Sequence, residues 1–287
     1  MISIFKKTGL TLALIGATSL ASAVEFDDFS SKVSHLMLNG DAAKAGENLR
    51  LTPADWWKKG SAFTFKALNV EKFSTFFTFK INPTPVSPRP TNSPVKASPF
   101  GPGDGFTFVL QALSPSAIGD LGPSLGYGGQ IEKGQLVDGI PNSIAVEFDT
   151  YKNGSFGDPN DNHIAIDING DTRHTDLSLV KEIAPSFTNG KTWYAWVDYD
   201  GETLQVRISQ NDHRPKKAQL EAVIDIPSLL GVNNDFDKNK AYVGFTAGTQ
   251  GGYENHDILF WQYRDKYQPI GLSDTHPYPL NPSSSTN

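Results

Sequence analysis

The chain has 287 residues, of which 38% are hydrophobic and 20% are charged, and it contains no cysteine. This length fits one large domain or two small ones, and the apolar fraction suffices for a packed core. Without cysteine, disulfide bonds and thiolate chemistry are excluded. The formal net charge is −6, and an acidic chain is a poor partner for nucleic acid or anionic membrane surfaces.

The N-terminal segment has the layout of a secretory signal peptide. Lys6 and Lys7 precede an apolar run, and Ala21-Ser22-Ala23 provides a cleavage site of small residues. An uncleaved membrane anchor would need a longer apolar run. We therefore predict a signal peptide over residues 1–23 and a secreted or periplasmic protein without membrane insertion. Export without disulfides is more typical of a bacterial protein than of a small animal ectodomain.

Strands are predicted where aromatic or β-branched residues alternate with small or polar ones. These strands cover residues 61–68, 74–81, 105–110, 143–151, 163–168, 193–199, 203–208, 241–247 and 257–263. Asp200-Gly201 predicts a type I′ hairpin turn between two of them. Short helices are predicted over residues 172–183 and 227–231. Many strands with little helix predict an all-β fold, a β-sandwich or jelly roll.

A proline-rich segment interrupts this series of predicted strands. Residues 81–102 contain seven of the nineteen prolines. Proline has no N–H to donate to a sheet, so the segment is predicted to be an exposed loop or polyproline II stretch. Because strands continue on both sides, we interpret it as an insertion within one domain rather than a linker. The predicted domain spans residues 24–265, and residues 266–287 form a C-terminal tail.

The most informative stretch is residues 147–163, EFDTYKNGSFGDPNDNH. Glu147 and Asp149 alternate on a strand and therefore face the same side. Asn153 and Asp158 lie in the turns that follow, and His163 begins the next strand. Carboxylates held this close repel one another unless a cation lies among them.

The donor atoms of this stretch suggest two neighbouring cations. Oxygen donors suit calcium, whereas carboxylates combined with an imidazole suit a transition ion such as manganese or zinc. The alternative is an ordinary polar turn, because Asp, Asn, Gly and Pro are common turn residues. The isolated histidines His35 and His174 are interpreted as surface residues rather than ligands.

Four motifs in order carry a resemblance to a known family. The order of residues 147–163 is similar to the two-metal loop of the legume-type (L-type) lectins in residue type and spacing. Residues 103–108 resemble that family's strand with the sugar-binding aspartate, and residues 163–167 resemble the strand after the metal loop. Residues 243–261 resemble the final strand pair. The resemblance covers about residues 24–263 and, with the signal peptide, suggests an exported bacterial member.

The resemblance implies a concanavalin-like jelly-roll β-sandwich of antiparallel sheets that binds carbohydrate without catalysis. It implies a transition ion, manganese or another, held by four side chains: Glu147, Asp149, Asp158 and His163. It also implies calcium, held by Asp149, Asp158, Asn153 and the backbone carbonyl of Tyr151.

The resemblance further implies a sugar site made of Asp104, Gly122, Tyr151, Asn153 and Gly251. Asp104, joined to Gly103 by a cis peptide, would accept hydrogen bonds from two sugar hydroxyls, which its charge strengthens. Asn153 would donate to a hydroxyl, and the Tyr151 ring would pack against the apolar face of the sugar. Gly122 and Gly251 would offer backbone amides, with Gly122 standing in for a proline that has none.

The implied partners are glycans or polysaccharides. The length of the last binding loop is compatible with mannose/glucose binders. Affinity for a single sugar in a shallow polar site is modest, so useful binding would need multivalency, which a homo-oligomer could supply.

Two other functions compete with the lectin. Laminarinase-like glycoside hydrolases on a similar jelly roll act on β-glucans with E-x-D-x-x-E, whose start matches Glu147-Phe148-Asp149. The third position is Lys152, which cannot supply the second carboxyl that retaining hydrolysis requires. A degenerate adhesion or matrix module is the other candidate, and the complete metal set argues against it. We therefore predict a lectin and not an enzyme.

Overall fold

The computed structural model describes residues 23–26, 29, 33–82, 98–132, 135–232 and 236–271. All of the predicted signal peptide except Ala23, most of the proline-rich insertion and most of the C-terminal tail lie outside these residues. The described part contains one α-helix, α1 (Ile226–Leu230). In chain order the strands are β1 (Ala23–Phe26), β2 (Leu36–Gly40), β3 (Ala43–Ala45), β4 (Asn48–Thr52), β5 (Lys59–Thr64), β6 (Leu68–Asn69), β7 (Phe73–Asn82), β8 (Gly105–Gln111), β9 (Gln130–Glu132), β10 (Gln135–Val137), β11 (Ser143–Asp149), β12 (His163–Ile168), β13 (Val180–Glu182), β14 (Trp193–Tyr199), β15 (Thr203–Ser209), β16 (Leu220–Val223), β17 (Lys240–Gly248) and β18 (Asn255–Arg264).

Two antiparallel sheets of eight strands make up the fold. The back sheet has the order β16-β15-β14-β7-β18-β4-β3, with β1 beside β18. The front sheet has the order β13-β12-β11-β8-β17-β5-β2, with β6 beside β17. The remaining pair, β9 and β10, forms a small hairpin. The predicted all-β fold of antiparallel sheets is confirmed.

The core between the sheets is rich in phenylalanine. Phe77 and Phe79 of the back sheet meet Phe106 of the front sheet with ring centroids 6.5 and 4.9 Å apart. Phe148 stacks on Phe106 at 4.7 Å. Each buried ring of this kind contributes about 1.5–3 kcal/mol. Because successive side chains of a strand point to opposite faces, the neighbours of Phe148 on β11 face away from this core.

The predicted helix over residues 172–183 is wrong. Leu177–Leu179 forms a single 3-10 turn, and Val180–Glu182 is a strand that pairs with residues 163–165 of β12. The edge of β12 offers unpaired N–H and C=O groups, and pairing with them outweighs the local helical pattern. The helix predicted over residues 227–231 is confirmed by α1.

Most predicted strands are confirmed, with three differences in detail. The strand predicted over residues 61–68 ends at Thr64, and the strand predicted over residues 143–151 ends at Asp149. The hairpin between β14 and β15 forms, but its turn centres on Gly201 and Glu202, and of these only Gly201 has a positive φ, +104°. Type I′ needs two such residues, so that prediction is wrong. In the described part of the chain, no helix is long and apolar enough for a membrane crossing.

Candidate functional site

Three neighbouring strands of the front sheet position the acidic side chains. Asp149 of β11 lies opposite His163 of β12 on one side and opposite Gly105 of β8 on the other. Glu147, two residues earlier, shares the face of Asp149 and lies away from the phenylalanine core. Glu147, Asp149 and His163 are buried all the same. The register of the sheet therefore gathers these donors beneath the loops at one end.

Backbone hydrogen bonds close the loop that follows β11. The Tyr151 N–H donates to Asp149 Oδ1 at 2.8 Å, and the Asn153 N–H donates to Asp158 Oδ2 at 2.5 Å. Each carboxylate uses one oxygen in these bonds. The buried Oδ1 of Asn153 has no hydrogen-bond partner among the described residues. The loop thus wraps around oxygen atoms that are available to a cation.

His163 is a buried imidazole that lies among carboxylates. Its Nε2 is 4.0 Å from Glu147 Oε1, and its Nδ1 is 3.8 Å from Asp149 Oδ1. Within the described ranges neither ring nitrogen has a hydrogen-bond partner. A buried polar group without a partner is costly, and a bound ion is one of the ways to satisfy it. The donor set therefore fits a metal ion.

His174 also lies in this cluster, so its interpretation as a surface residue is wrong. Its side chain is 3% exposed, with Nε2 3.1 Å from Glu147 Oε2 and Nδ1 3.2 Å from Asp158 Oδ1. The loop after β12 folds back on the metal loop, and the His174 N–H donates to the Phe156 carbonyl at 2.7 Å. This contact is tertiary, and no local pattern signals it.

Asp167 is a second residue that sequence reasoning missed. It is buried, and its Oδ1 lies 3.8 Å from His174 Nε2. A signal for it was present in the sequence, because Asp167 stands four positions after His163 on the same strand and shares its face.

Burial and the charges of neighbouring groups together set the electrostatics of the cluster. Burial and the neighbouring charges of Glu147 and Asp158 raise the pKa of Asp149 well above its ordinary value. Burial opposes protonation of His174, but its contacts with Asp158 and Glu147 outweigh burial and raise the pKa of His174 to about 10. A divalent cation would relieve the repulsion and displace protons on binding. Potential ligand atoms of Glu147, His163 and His174 all lie within 4.8 Å of one another.

Asp104 stands at the same end of the front sheet, just before β8. The Gly103–Asp104 peptide bond is cis, as the resemblance implies. The Asp104 N–H donates to the Gly248 carbonyl at 3.1 Å, and the Asp104 carbonyl accepts from the Thr150 N–H at 2.9 Å. The carboxyl is buried, and its Oδ2 has no partner in the part of the chain that the structure describes. One acceptor oxygen is therefore available for a ligand.

The other predicted sugar-site residues lie on loops around Asp104. The Tyr151 ring packs so closely on Gly103 that a Cβ there would lie 3.1 Å from it. Gly122 has φ +61°, which favours glycine, and a Cβ on it would lie 2.5 Å from Gln250 Oε1, so the two loops are in close contact. Gly251 lies against the ring of Phe100, where a Cβ would be 3.4 Å away. These contacts bring together the loops that contain Gly103, Gly122, Tyr151 and Gly251 at the end of the front sheet where Asp104 lies.

In EDTA-treated protein, we expect the free energy of unfolding to fall as the pH rises from 4 to 8. Burial, followed by the charge of Glu254, raises the pKa of Asp104 from 3.8 to about 7. Between these values the folded chain binds a proton that the unfolded chain does not, so this stability is complete below pH 3.8 and lost through pH 7. The effect is at most about 4 kcal/mol.

Urea unfolding of wild type and Asp104→Asn at several pH values measures this effect. The variant should show a flatter pH dependence, because its side chain does not titrate. An identical slope in both proteins would contradict the assignment to Asp104.

The comparisons with known proteins agree with this geometry. The legume lectin domain family matches residues 21–277. The chain belongs to this family. The L-type lectin-domain containing receptor kinase VIII.1 of Arabidopsis thaliana is 30% identical over 294 residues, which cover 93% of this chain and 36% of the kinase.

Solved lectin structures share the fold. Metal-free lectin I-B4 from Griffonia simplicifolia has a TM-score of 0.63 at 25% identity, over 84% of this chain and 98% of the lectin. A lectin from Bauhinia forficata in complex with GalNAc has a TM-score of 0.64 at 23% identity, over 85% of this chain and 98% of the lectin. The jelly-roll prediction is therefore confirmed.

Membership in the legume lectin family decides between the lectin and the enzyme predictions. The chain belongs to a family of carbohydrate-binding lectins, and the prediction that it is not an enzyme is confirmed. The chain spans 36% of the length of the receptor kinase, and the activity of that whole protein is not carried over. The receptor kinase is a plant protein, and the expectation of an exported bacterial member stays a prediction.

Proposed function

We propose that this legume lectin domain binds glycans in a metal-dependent manner, at the end of the front sheet where Asp104 lies. The observation that carries the proposal is the buried group of Glu147, Asp149, Asp158 and His163, in which both ring nitrogens of His163 have no hydrogen-bond partner among the described residues. This group adjoins Asp104 through the Thr150 N–H. An ion bound at the cluster and a sugar bound at Asp104 would therefore both contact the loop that follows β11.

The proposed metal site has two parts. Glu147, Asp149, Asp158 and His163 would hold the transition ion, manganese or another, and Asp149, Asp158, Asn153 and the Tyr151 carbonyl would hold calcium. Bound cations supply positive charge that relieves the repulsion of the carboxylates. Asp149 and Asp158 meanwhile accept backbone N–H groups of the loop and fix the position of Asn153.

The proposed sugar site uses the remaining groups. The ionised Asp104 accepts hydrogen bonds from two sugar hydroxyls, and Asn153 donates one. Tyr151 offers a ring to the apolar face of the sugar, while Gly122 and Gly251 offer backbone amides. Loop length favours mannose or glucose, whereas the Bauhinia lectin was solved with GalNAc, and both classes belong on the first glycan array. We further propose that the protein is exported and that a homo-oligomer makes its glycan binding multivalent.

Exposed aromatic rings beside this site also support a carbohydrate ligand. Trp56 is 38% and Phe100 59% exposed, and their ring centroids are 5.9 Å apart. The Trp56 ring is also 5.6 Å from Tyr253, which closes the loop that contains Gly251. The Ser98 hydroxyl donates to the Gly251 carbonyl at 2.8 Å and ties the segment of Phe100 to that loop. These rings form a surface on which the apolar face of a further sugar residue can stack.

We expect Trp56→Ala to weaken oligosaccharide binding about fivefold. Covering one face of the indole removes roughly 50 Å² of apolar surface from water, which corresponds to about 1 kcal/mol. A glycan array in calcium and manganese identifies the ligands, and titration calorimetry compares the variants.

Phe65→Ala is the matched control, because Phe65 is 47% exposed and follows the opposite end of β5 from Trp56. It should leave binding unchanged. Equal effects of the two substitutions would argue against stacking at Trp56, and an array without any bound glycan would contradict the proposed function itself.

A further inference from the structure

His174 occupies the position of a metal donor although it lies outside the ligand set that the family resemblance implies. Its two ring nitrogens approach two different carboxylates of that set, Glu147 at 3.1 Å and Asp158 at 3.2 Å. Its ring meets that of His163 edge-on, with centroids 5.0 Å apart. Both imidazoles therefore face the carboxylate of Glu147.

The spacing of these atoms matches that of donors around a shared ion. Ligands about 2.1 Å from an octahedral ion lie about 3.0 Å apart when adjacent and about 4.2 Å apart when opposite. Glu147 Oε2 lies 3.1 Å from His174 Nε2, and Glu147 Oε1 lies 4.0 Å from His163 Nε2, so each oxygen of this carboxylate faces one imidazole. One ligand atom each of Glu147, His163 and His174 lies within 4.8 Å of the others, which is near the separation that a single ion allows.

The backbone holds His174 against the metal loop. Its N–H donates to the Phe156 carbonyl at 2.7 Å. A Cβ on Gly157 would lie 2.7 Å from the His174 carbonyl oxygen, so only glycine permits this approach. The loop that carries Asp158 and the segment that carries His174 are therefore ordered together.

We propose that His174 is a direct ligand of the transition ion, so that the site has two imidazoles, and that it prefers zinc or cobalt to manganese. A second imidazole in place of a water favours these ions, because imidazole suits zinc and its neighbours while manganese prefers oxygen donors. Asp167 Oδ1 lies 3.8 Å from the same ring nitrogen, His174 Nε2, and adds a further buried carboxylate to the cluster. This inference rests on the proposed metal-dependent function.

X-ray absorption at the zinc edge counts the imidazoles directly. Calcium-saturated full-length protein loaded with one equivalent of zinc should show two imidazole ligands in wild type and one in His174→Ala. A wild-type spectrum with a single imidazole would overturn the proposal without touching the proposed function. Absence of any zinc or manganese binding would overturn both.

Competition titrations with zinc and manganese give an independent readout. His174→Ala should lose more than about hundredfold in zinc affinity, the loss exceeding that for an outer carboxylate, while its calcium affinity stays unchanged. His213→Ala, whose imidazole is 91% exposed, is the matched control and should bind as wild type. An unchanged zinc affinity in His174→Ala would contradict direct ligation.

A melting curve in EDTA shows whether each variant is folded without metal. His174→Gln keeps a polar side chain but removes the imidazole, and it should show the same loss of zinc affinity as the alanine variant. If His174→Gln is folded in EDTA and retains wild-type zinc affinity, the proposal fails.

Discussion

Removal of divalent cations with EDTA should lower the melting temperature of this lectin by roughly 10 °C for each tightly bound ion. An ion at a thousandfold excess over its Kd stabilises the folded chain by about 4 kcal/mol, and a domain of this size gains about 2–4 °C for each kcal/mol. The physical source is the burial of carboxylates beside one another, since burial and then the charges of Glu147 and Asp158 raise the pKa of Asp149. Calorimetry before and after re-addition of calcium and manganese measures the change.

A variant of the site separates this effect from non-specific effects of the chelator. Asp149→Asn removes a proposed ligand of both ions, and its melting temperature should barely respond to EDTA. The neutral amide also removes one of the repelling charges, so the variant can fold without metal. If wild type melts at the same temperature with and without EDTA, the cluster does not hold stabilising ions.

Asp104→Asn should abolish detectable glycan binding while leaving the fold and the metals in place. The carboxylate would accept two hydrogen bonds from sugar hydroxyls, and bonds to a charged group contribute about 1.5–3 kcal/mol each. Their loss corresponds to a decrease in affinity of more than about a hundredfold. Asparagine has nearly the same shape, and it is neutral in a place where burial already raises the pKa of Asp104 to about 7.

The control for this variant is Asp212→Asn, which changes a partly exposed carboxylate beside His213. It should keep the wild-type glycan-array profile. Metal titrations should give the same stoichiometry for Asp104→Asn as for wild type. A variant that retains the full array profile would place the sugar site elsewhere on the molecule.

Much of the front sheet could be predicted from the sequence because its pattern is local. The alternation around Phe148 predicts that Glu147 and Asp149 face one side of a strand, and the structure has them there. The cis peptide before Asp104 follows from the family resemblance and from no local pattern.

Two of the errors share a physical cause, since each concerns a segment whose place depends on tertiary contacts. Residues 180–182 have a helical spacing, but they pair with the free edge of β12. His174 lies eleven positions after His163, beyond any strand period, and reaches the cluster only because its loop folds onto Phe156. No pattern in the residues next to His174 predicts that this loop folds back.

The central claim is that metal ions order the loop that binds the sugar. The most direct test is titration calorimetry of EDTA-treated protein with the best glycan from the array, before and after calcium and manganese are restored. The account predicts no binding in EDTA and full recovery of affinity with both ions. Undiminished glycan affinity in EDTA, with metal analysis confirming an ion-free protein, would contradict it.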